Sequence, residues 1–573
     1  MSFGTERDDA GHECPRVVDY IIEHLARHGI GHVFGVGGAN IEDLYDAAHA
    51  HPAITAIVAK HEFSAAAMAD AYSRSGAGIG VVAATSGGGA LNTIPGLGES
   101  LASRTPVLAL IGQPATALDG GGSFQDTSGA NGALDAEALF SAVSVSCQRV
   151  LRPADIVTAL PRALSAARSR GGPAVLLLPK DIQQSEMAPT SDTGVTEATA
   201  DAEDATRLIE LLRGTDGPVL IIAGDQVARD DARAELEQLR AALRADIATV
   251  PDAKDVAVAP AQSALGVAGV MGHPAVNAAL ADSAVCLLVG TRLPLVARGG
   301  LDEALRSVPI ASIGSARPYL ESTHTHSDDL RASLTMLAAA VASISHREPT
   351  GNPVAGNELA PPPSVAEGVR YRDAMRALDA LLPDGTDIAV DAGNVGAAAI
   401  HWLPARRDGR FLVALGMGGM GYSFGAGIGM TFARSAPNRR TVVVAGDGAF
   451  FMHGMEIHTA LHYRLPITFV LFDNHAHAMC VTREQLFYGD SYTYNRFGPS
   501  RLGAGLATMF PTLPAVDVTD IGQLEVALKA ALDVDGPSVL SIDCSADEIP
   551  PFATFLEELA AKSADIKEPK DDR

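Results

Sequence analysis

Short runs of consecutive apolar residues, bounded by Gly or Pro, alternate along this chain with longer stretches of helical character. Between residues 15 and 185 the runs are HVFGV, ITAIVA, GIGVVAAT, PVLALIG and AVLLLP. Runs of this length, rich in Val, Ile, Leu and Ala with no polar alternation, predict parallel strands buried on both faces. A polar stretch, 186–202, interrupts the pattern. It resumes over 203–345 with PVLIIAG, DIATV, AVCLLVG and PIASIG. A Pro/Gly-rich connector, 346–368, has little to pack. A third block, 369–550, carries DIAVDAG, FLVAL, TVVVAG, ITFVLF and SVLSID. Residues 1–14 are polar and acidic and read as disordered. Residues 551–573 form a charged tail, read as a helix that frays. The prediction is an α/β protein of three doubly wound parallel-sheet domains, at 15–185, 203–345 and 369–550.

Composition narrows the classes. A chain of 573 residues is too long for one core and suits about three domains. Its hydrophobic fraction of 47% is ample for buried sheets. A net charge of −25 argues against nucleic acid and anionic membranes as partners. The five cysteines (Cys14, Cys147, Cys286, Cys480, Cys544) are scattered without a CxxC pair, as free thiols in a reducing cytoplasm would be. No apolar run approaches the length of a membrane span, and the N-terminus has no apolar signal core.

Candidate chemistry is densest in TVVVAGDGAFFMHGMEIHTALHYRLPITFVLFDN. A strand runs into Gly446-Asp447-Gly448, a helix follows, and a second strand ends at Asp473-Asn474. This βαβ unit sets Asp447 beside Asn474 at neighbouring strand ends. A carboxylate, an amide oxygen and a nearby backbone carbonyl are hard ligands suited to Mg²⁺, with positions left for diphosphate oxygens. Glycines let the backbone approach a phosphate, and the helix start favours its charge. A second constellation lies near the front. The strand ITAIVA is followed by Glu62 and an Ala-rich helix, Phe63 to Arg74. A strand, Gly80 to Ala84, then ends in Thr85-Ser86-Gly87-Gly88-Gly89 with Asn92 beyond. A third feature, LGMGGMGYSFGAGIGM (Leu415 to Met430), is too rich in glycine for an ordinary helix start.

Together these segments resemble the thiamine-diphosphate-dependent enzyme superfamily, in its acetolactate synthase-like (large catalytic subunit) branch. VFGVGGANIEDLYDA, SRTPVLALIGQ, GGSFQDTSG, GGPAVLLLPKDI and LVGTRL fall in the family's order, so the resemblance covers nearly the whole chain, although Gly37 stands where the family usually has proline. The resemblance implies thiamine diphosphate and Mg²⁺ as cofactors. Asp447, Asn474 and the main-chain oxygen of Ala476 would ligate the metal, with Gly446 and Gly448 against the diphosphate. Glu62 would hold a proton on the aminopyrimidine ring, with Asn92 close by. The Gly418 carbonyl would accept from the 4′-amino group, and Met420 would prop the two rings against each other, a task suited to an unbranched, polarizable side chain. The first domain would bind the aminopyrimidine and the third the diphosphate, in a homodimer or homotetramer with active sites at the subunit interface.

The reaction implied is decarboxylation of a 2-oxo acid followed by addition of the acyl unit to a second carbonyl, giving an acetolactate- or acyloin-type product. The alternative is a non-oxidative 2-oxo acid decarboxylase releasing an aldehyde. Phe124-Gln125-Asp126 resembles an element in which the glutamine hydrogen-bonds the acceptor, so Gln125 is a catalytic candidate and Gln113 a lesser one. The pyruvate decarboxylase histidine pair is missing from GQPATALDGGGSFQDTSG. After Asn474 the chain reads His475-Ala476-His477-Ala478-Met479-Cys480, and departs from the synthases. His475 and His477 form a histidine pair that could move protons near neutral pH, with His477 the catalytic candidate, and Arg483 falls where the synthases carry a tryptophan. These departures point to a different donor or acceptor. Gly290-Thr291-Arg292-Leu293-Pro294 lacks the aspartates of a flavin-binding stretch, so FAD is possible but not favoured.

Overall fold

The computed structural model describes residues 15–187, 203–257, 263–342, 357–364, 367–434, 436 and 439–567. It contains three six-stranded sheets in which every pairing is parallel. The first is built from β1 (His32–Val36), β2 (Thr55–Val58), β3 (Gly80–Ala84), β4 (Val107–Gln113), β5 (Ser146–Arg149) and β6 (Pro173–Pro179), in the order β2-β1-β3-β4-β6-β5. The second holds β7 (Val219–Ala223), β8 (Asp246–Thr249), β9 (Ala264–Val267), β10 (Val285–Val289), β11 (Ile310–Gly314) and β12 (Thr323–His326), in the order β12-β11-β10-β7-β8-β9. The third holds β13 (Asp387–Val390), β14 (Phe411–Val413), β15 (Thr441–Gly446), β16 (Ile467–Asp473), β17 (Ala515–Val518) and β18 (Ser538–Asp543), in the order β14-β13-β15-β16-β18-β17. The three doubly wound parallel sheets are thus present.

The first and third sheets share one topology. In both, the strand order reverses between the first and third strands, β1/β3 and β13/β15. Ligands of open parallel sheets bind outside the carboxyl ends of the strands at this reversal. The Thr85–Gly89 turn follows β3, and Asp447 follows β15, so the two motifs occupy equivalent places in two sheets.

The disordered segment read at 1–14 lies outside the described residues, as does all of the 186–202 linker except Glu186 and Met187. Of the 346–368 connector, residues 357–364 and 367–368 are described and carry no helix or strand. The tail forms a helix, Ala553–Lys567, and residues 568–573 lie outside the description. Among the described residues no helix is long and apolar enough to cross a membrane.

The chain divides into two compact units. One comprises residues 1–199, 415–435 and 453–463, the other 200–414, 436–452 and 464–573. In the first unit the helix Glu62–Arg74 is buried along its whole length. Its alanines make room for close neighbours, among them a helix over Tyr422–Ala433. The glycine-rich stretch is therefore helical from Tyr422 onward. A Cβ on Gly425 would fall 2.4 Å from the Ser64 carbonyl oxygen, and one on Gly429 2.1 Å from that of Met68. These glycines allow two backbones to touch. In the second unit, Lys254 Nζ donates to the carbonyls of Ala399 and Leu403 at 3.1 and 2.6 Å, capping the helix Asn394–Trp402. The Arg410 guanidinium is buried between Asp225 and Asp255. Both contacts tie the second sheet's loops to the third sheet.

Candidate active site

In the second unit, β15 and β16 are paired with Gly446 opposite Phe472, so Asp447 and Asn474 emerge side by side. Asp447 is the first residue of the helix Asp447–His453 and is fully buried. The Ala476 N–H is shared by Asp447 Oδ2 and Asn474 Oδ1, each at 3.1 Å, and the Gly448 N–H donates to Asp447 Oδ1 at 2.9 Å. Ala476 pairs with Arg496 in an isolated antiparallel bridge whose bonds run from His477 N–H and Phe497 N–H, so its own N–H and carbonyl turn away from Arg496. Asn474 Nδ2 donates to the buried Tyr371 hydroxyl at 3.2 Å, which leaves Oδ1 facing Ala476. The three residues expected to bind Mg²⁺ therefore converge.

The electrostatics of this cluster favour a cation. Burial, and then the neighbouring Asp473 carboxylate, push Asp447 up to about 7. Asp447, Asp473 and His475 present ligand atoms within 4.8 Å of one another. His475 Nδ1 sits 3.0 Å from Asp473 and Nε2 lies 3.4 Å from Asp543, so the imidazole is spent on those two acids. A buried carboxylate, an amide oxygen and a neighbouring backbone carbonyl form a hard, electron-rich donor set suited to Mg²⁺. Asn394, in the Gly393-Asn394 turn after β13, also belongs here. Its Nδ2 donates to Thr482 Oγ1 at 3.2 Å, while its buried Oδ1 meets no donor among the described residues. Sequence reasoning missed this residue. Its signal was an asparagine after glycine at the end of the strand DIAV.

In the first unit, His61 caps the helix that begins at Glu62, its Nδ1 accepting from the Phe63 N–H at 3.1 Å. Asn92 Nδ2 donates to Glu62 Oε2 at 2.9 Å. Glu62 Oε1 lies against Gly89, where an added Cβ would approach it to 3.0 Å. Gln125, in left-handed backbone (φ 60°), leans on the same turn and accepts from Ser86 Oγ at 3.2 Å, while Ser86 accepts from Asn40 Nδ2. The Thr85–Gly89 turn thus gathers Glu62, Asn92 and Gln125. Gln113 is different. Its amide is committed at both ends, to Thr127 and to Arg149, deep in the sheet. Gly418 is exposed with φ 65°, and Met420 is half-buried two residues on.

The two histidines after Asn474 do not act as a pair. His475 holds its acids, while His477 sets its ring edge-on to Phe497 at 4.7 Å. His477 Nδ1 is buried and has no partner among the described residues. Arg483 is exposed and lies over the Phe487 ring, and Cys480 is exposed. In the second sheet the Arg292 guanidinium stacks on Tyr319, 4.0 Å from the ring centre.

Residues 15–134 match a family model described as the N-terminal TPP binding domain of thiamine pyrophosphate enzymes. Residues 205–331 match the central domain of the same enzymes, and 391–542 their C-terminal TPP binding domain. The probable acetolactate synthase large subunit of Methanococcus aeolicus is 25% identical over 573 residues, covering 93% of each chain. The acetolactate synthase isozyme 2 large subunit of Escherichia coli K12 is 26% identical, over 92% of this chain and 95% of its own. Acetolactate synthase 1, chloroplastic, of Oryza sativa subsp. japonica is 25% identical, over 91% and 84%.

Proposed function

Because the chain belongs to the thiamine pyrophosphate-dependent enzymes, in their acetolactate synthase-like branch, we propose that it is a carboligase that decarboxylates a 2-oxo acid and adds the acyl unit to a second carbonyl. When bound, the cofactor would supply a ring carbon that is nucleophilic once deprotonated and a cationic ring as sink for the electron pair left by CO₂.

The chain's own residues do the rest. Glu62 Oε1, left over by Asn92, would share a proton with a pyrimidine ring nitrogen. Asp447, Asn474 and the Ala476 carbonyl would hold Mg²⁺, and Gly446 and Gly448 would admit the diphosphate. The Gly418 carbonyl would accept from the 4′-amino group, with Met420 as the prop between the rings. His477, with an unspent ring nitrogen, is our candidate for proton movement at the acceptor. Cofactor and metal binding would need a homodimer or homotetramer in which subunits share active sites. The four described cysteines are free thiols, which suits a cytoplasmic enzyme.

The observation that favours carboligation over simple aldehyde release is Gln125. Its amide is held by Ser86 on the turn that also borders Glu62. With Oε1 accepting from Ser86, Nε2 remains to donate to an acceptor carbonyl. Mass spectrometry of products formed from pyruvate, other 2-oxo acids and aldehydes, with thiamine diphosphate and Mg²⁺ added, tests the proposal. Acetolactate- or acyloin-type products are expected. Free aldehyde alone would establish the decarboxylase instead. A yellow protein with flavin absorbance would overturn the expectation against FAD.

A further inference from the structure

The loop that carries Gly418 and Met420 has no strand or helix to define it until Tyr422. Its backbone is nevertheless gripped at both ends by one buried charge network. Glu99, in the last turn of the helix Gly88–Ala102, is 2% exposed. Its Oε2 accepts from Met417 N–H at 2.6 Å and from Gly418 N–H at 3.2 Å, and its Oε1 accepts from Gly416 N–H at 3.1 Å. Three consecutive amides thus converge on one carboxylate, a backbone nest whose anion is the Glu99 side chain. Four residues beyond Gly418, the Tyr422 hydroxyl donates to Asp70 Oδ2 at 2.6 Å.

The acids holding the two ends share a cation. Arg74 Nε pairs with Asp70 at 2.9 Å, and Arg74 Nη2 reaches Glu99 Oε1 at 3.4 Å. Arg74, Asp70 and Tyr422 are all buried. Asp70 and Arg74 lie about two and about three turns along the helix that Glu62 begins. The helix presenting Glu62 at its start therefore anchors, further along, the loop presenting Gly418.

We propose that Glu99 is a positioning residue for the cofactor: its carboxylate sets the conformation of residues 416–418, so that the Gly418 carbonyl and Met420 are in place before the cofactor arrives. The inference rests on the reading of Gly418 and Met420 as cofactor contacts. An unliganded loop with a left-handed residue at Gly418 would otherwise sample many conformations, and each binding event would have to order it. The geometry is sensitive to a single atom. Glu99→Gln replaces one acceptor oxygen by an NH₂ that opposes either the Gly416 amide or those of Met417 and Gly418. Glu99→Asp keeps the charge but withdraws it by a methylene.

Amide hydrogen exchange of the full-length protein without cofactor, read by mass spectrometry on a peptide covering 415–421, tests the grip. Both variants are expected to exchange these amides at least about tenfold faster than wild type, with the other peptides unchanged, as loss of a charge-assisted bond allows. The half-saturation constant for thiamine diphosphate is expected to rise about tenfold, with kcat at saturating cofactor within about twofold. General damage to the fold would instead lower kcat and speed exchange throughout. Unchanged exchange in 415–421, or an unchanged cofactor constant beside faster exchange, would overturn the positioning role. Wild-type protein that takes up no cofactor would overturn the functional reading itself. That failure is distinguishable, because the exchange difference is read without cofactor.

Discussion

Replacing Glu62 by glutamine separates a chemical role from a structural one, because the structure fixes both magnitudes. The substitution is isosteric, and Asn92 Nδ2 can donate to the glutamine Oε1 as it does to Glu62 Oε2 at 2.9 Å. What is lost is the charge on that bond, ~1 kcal/mol, and the favourable placement of an anion at a helix start, ~0.3–1 kcal/mol. A total near 1–2 kcal/mol is small beside the ~5–15 kcal/mol that holds a typical domain folded, so the variant folds. If Glu62 holds the proton that activates the cofactor, turnover should fall by about 10²- to 10⁴-fold, the usual contribution of a positioned acid or base. That is roughly 3–5 kcal/mol of barrier. The assay is CO₂ release from the best 2-oxo acid at saturating cofactor, with cofactor affinity measured calorimetrically on the same protein. Cofactor bound with wild-type affinity and turnover nearly abolished is the expected pair. Turnover within about threefold of wild type, with cofactor bound, would refute the assignment.

Gln125→Asn, a residue that tolerates the left-handed backbone at this position, withdraws the amide by a methylene. It is expected to shift product from carboligation toward free aldehyde by about tenfold, the loss of one hydrogen bond to the acceptor, and an unchanged product ratio would contradict the role. Gly429→Ala places a methyl 2.1 Å from the Met68 carbonyl oxygen. A loss of ~1–3 kcal/mol in denaturant unfolding is expected from such overpacking, and a neutral effect would contradict the helix contact. Glu548 is pushed up to about 7, chiefly by burial, although the Tyr371 N–H donates to both of its oxygens. A carboxyl whose folded pKa lies above its unfolded value stabilises the fold at low pH. That contribution disappears as pH rises from about 4.5 toward and through 7, up to ~3 kcal/mol. The wild-type minus Glu548→Gln difference in unfolding free energy should therefore shrink between pH 5 and pH 8, and a constant difference would contradict the shift.

The buried strands were legible because two covered faces demand unbroken apolar runs. Four strands were not: β5 (SCQR), β9 (ALGV), β12 (THTH) and β17 (AVDV). All four are sheet edges, and all are only partly buried, so their sequences carry polar or small residues that look like loop. The helix Tyr422–Ala433 was hidden for another reason. Its glycines serve a close approach to the helix Glu62–Arg74, a tertiary contact that local propensity cannot express. The metal-site candidates were readable because parallel strands place their ends together, and Asp447 and Asn474 each end one. Gln125 was visible only through a short loop motif, and its hold on Ser86 came from the fold. Glu99 left no trace in the sequence. It sits in the last turn of its helix with no local motif around it, and the three amides it holds lie more than 300 residues away.

Titration calorimetry of thiamine diphosphate into the wild-type protein and Asp447→Ala, each with Mg²⁺ and with a chelator, tests the central claim most directly. The buried Asp447 carboxylate, drawn up by its own burial and by Asp473, should bind only in the company of a divalent cation. Saturable uptake by wild type in Mg²⁺, none in chelator and none by Asp447→Ala is the expected result. Equal uptake by both proteins, or uptake indifferent to the metal, would contradict it.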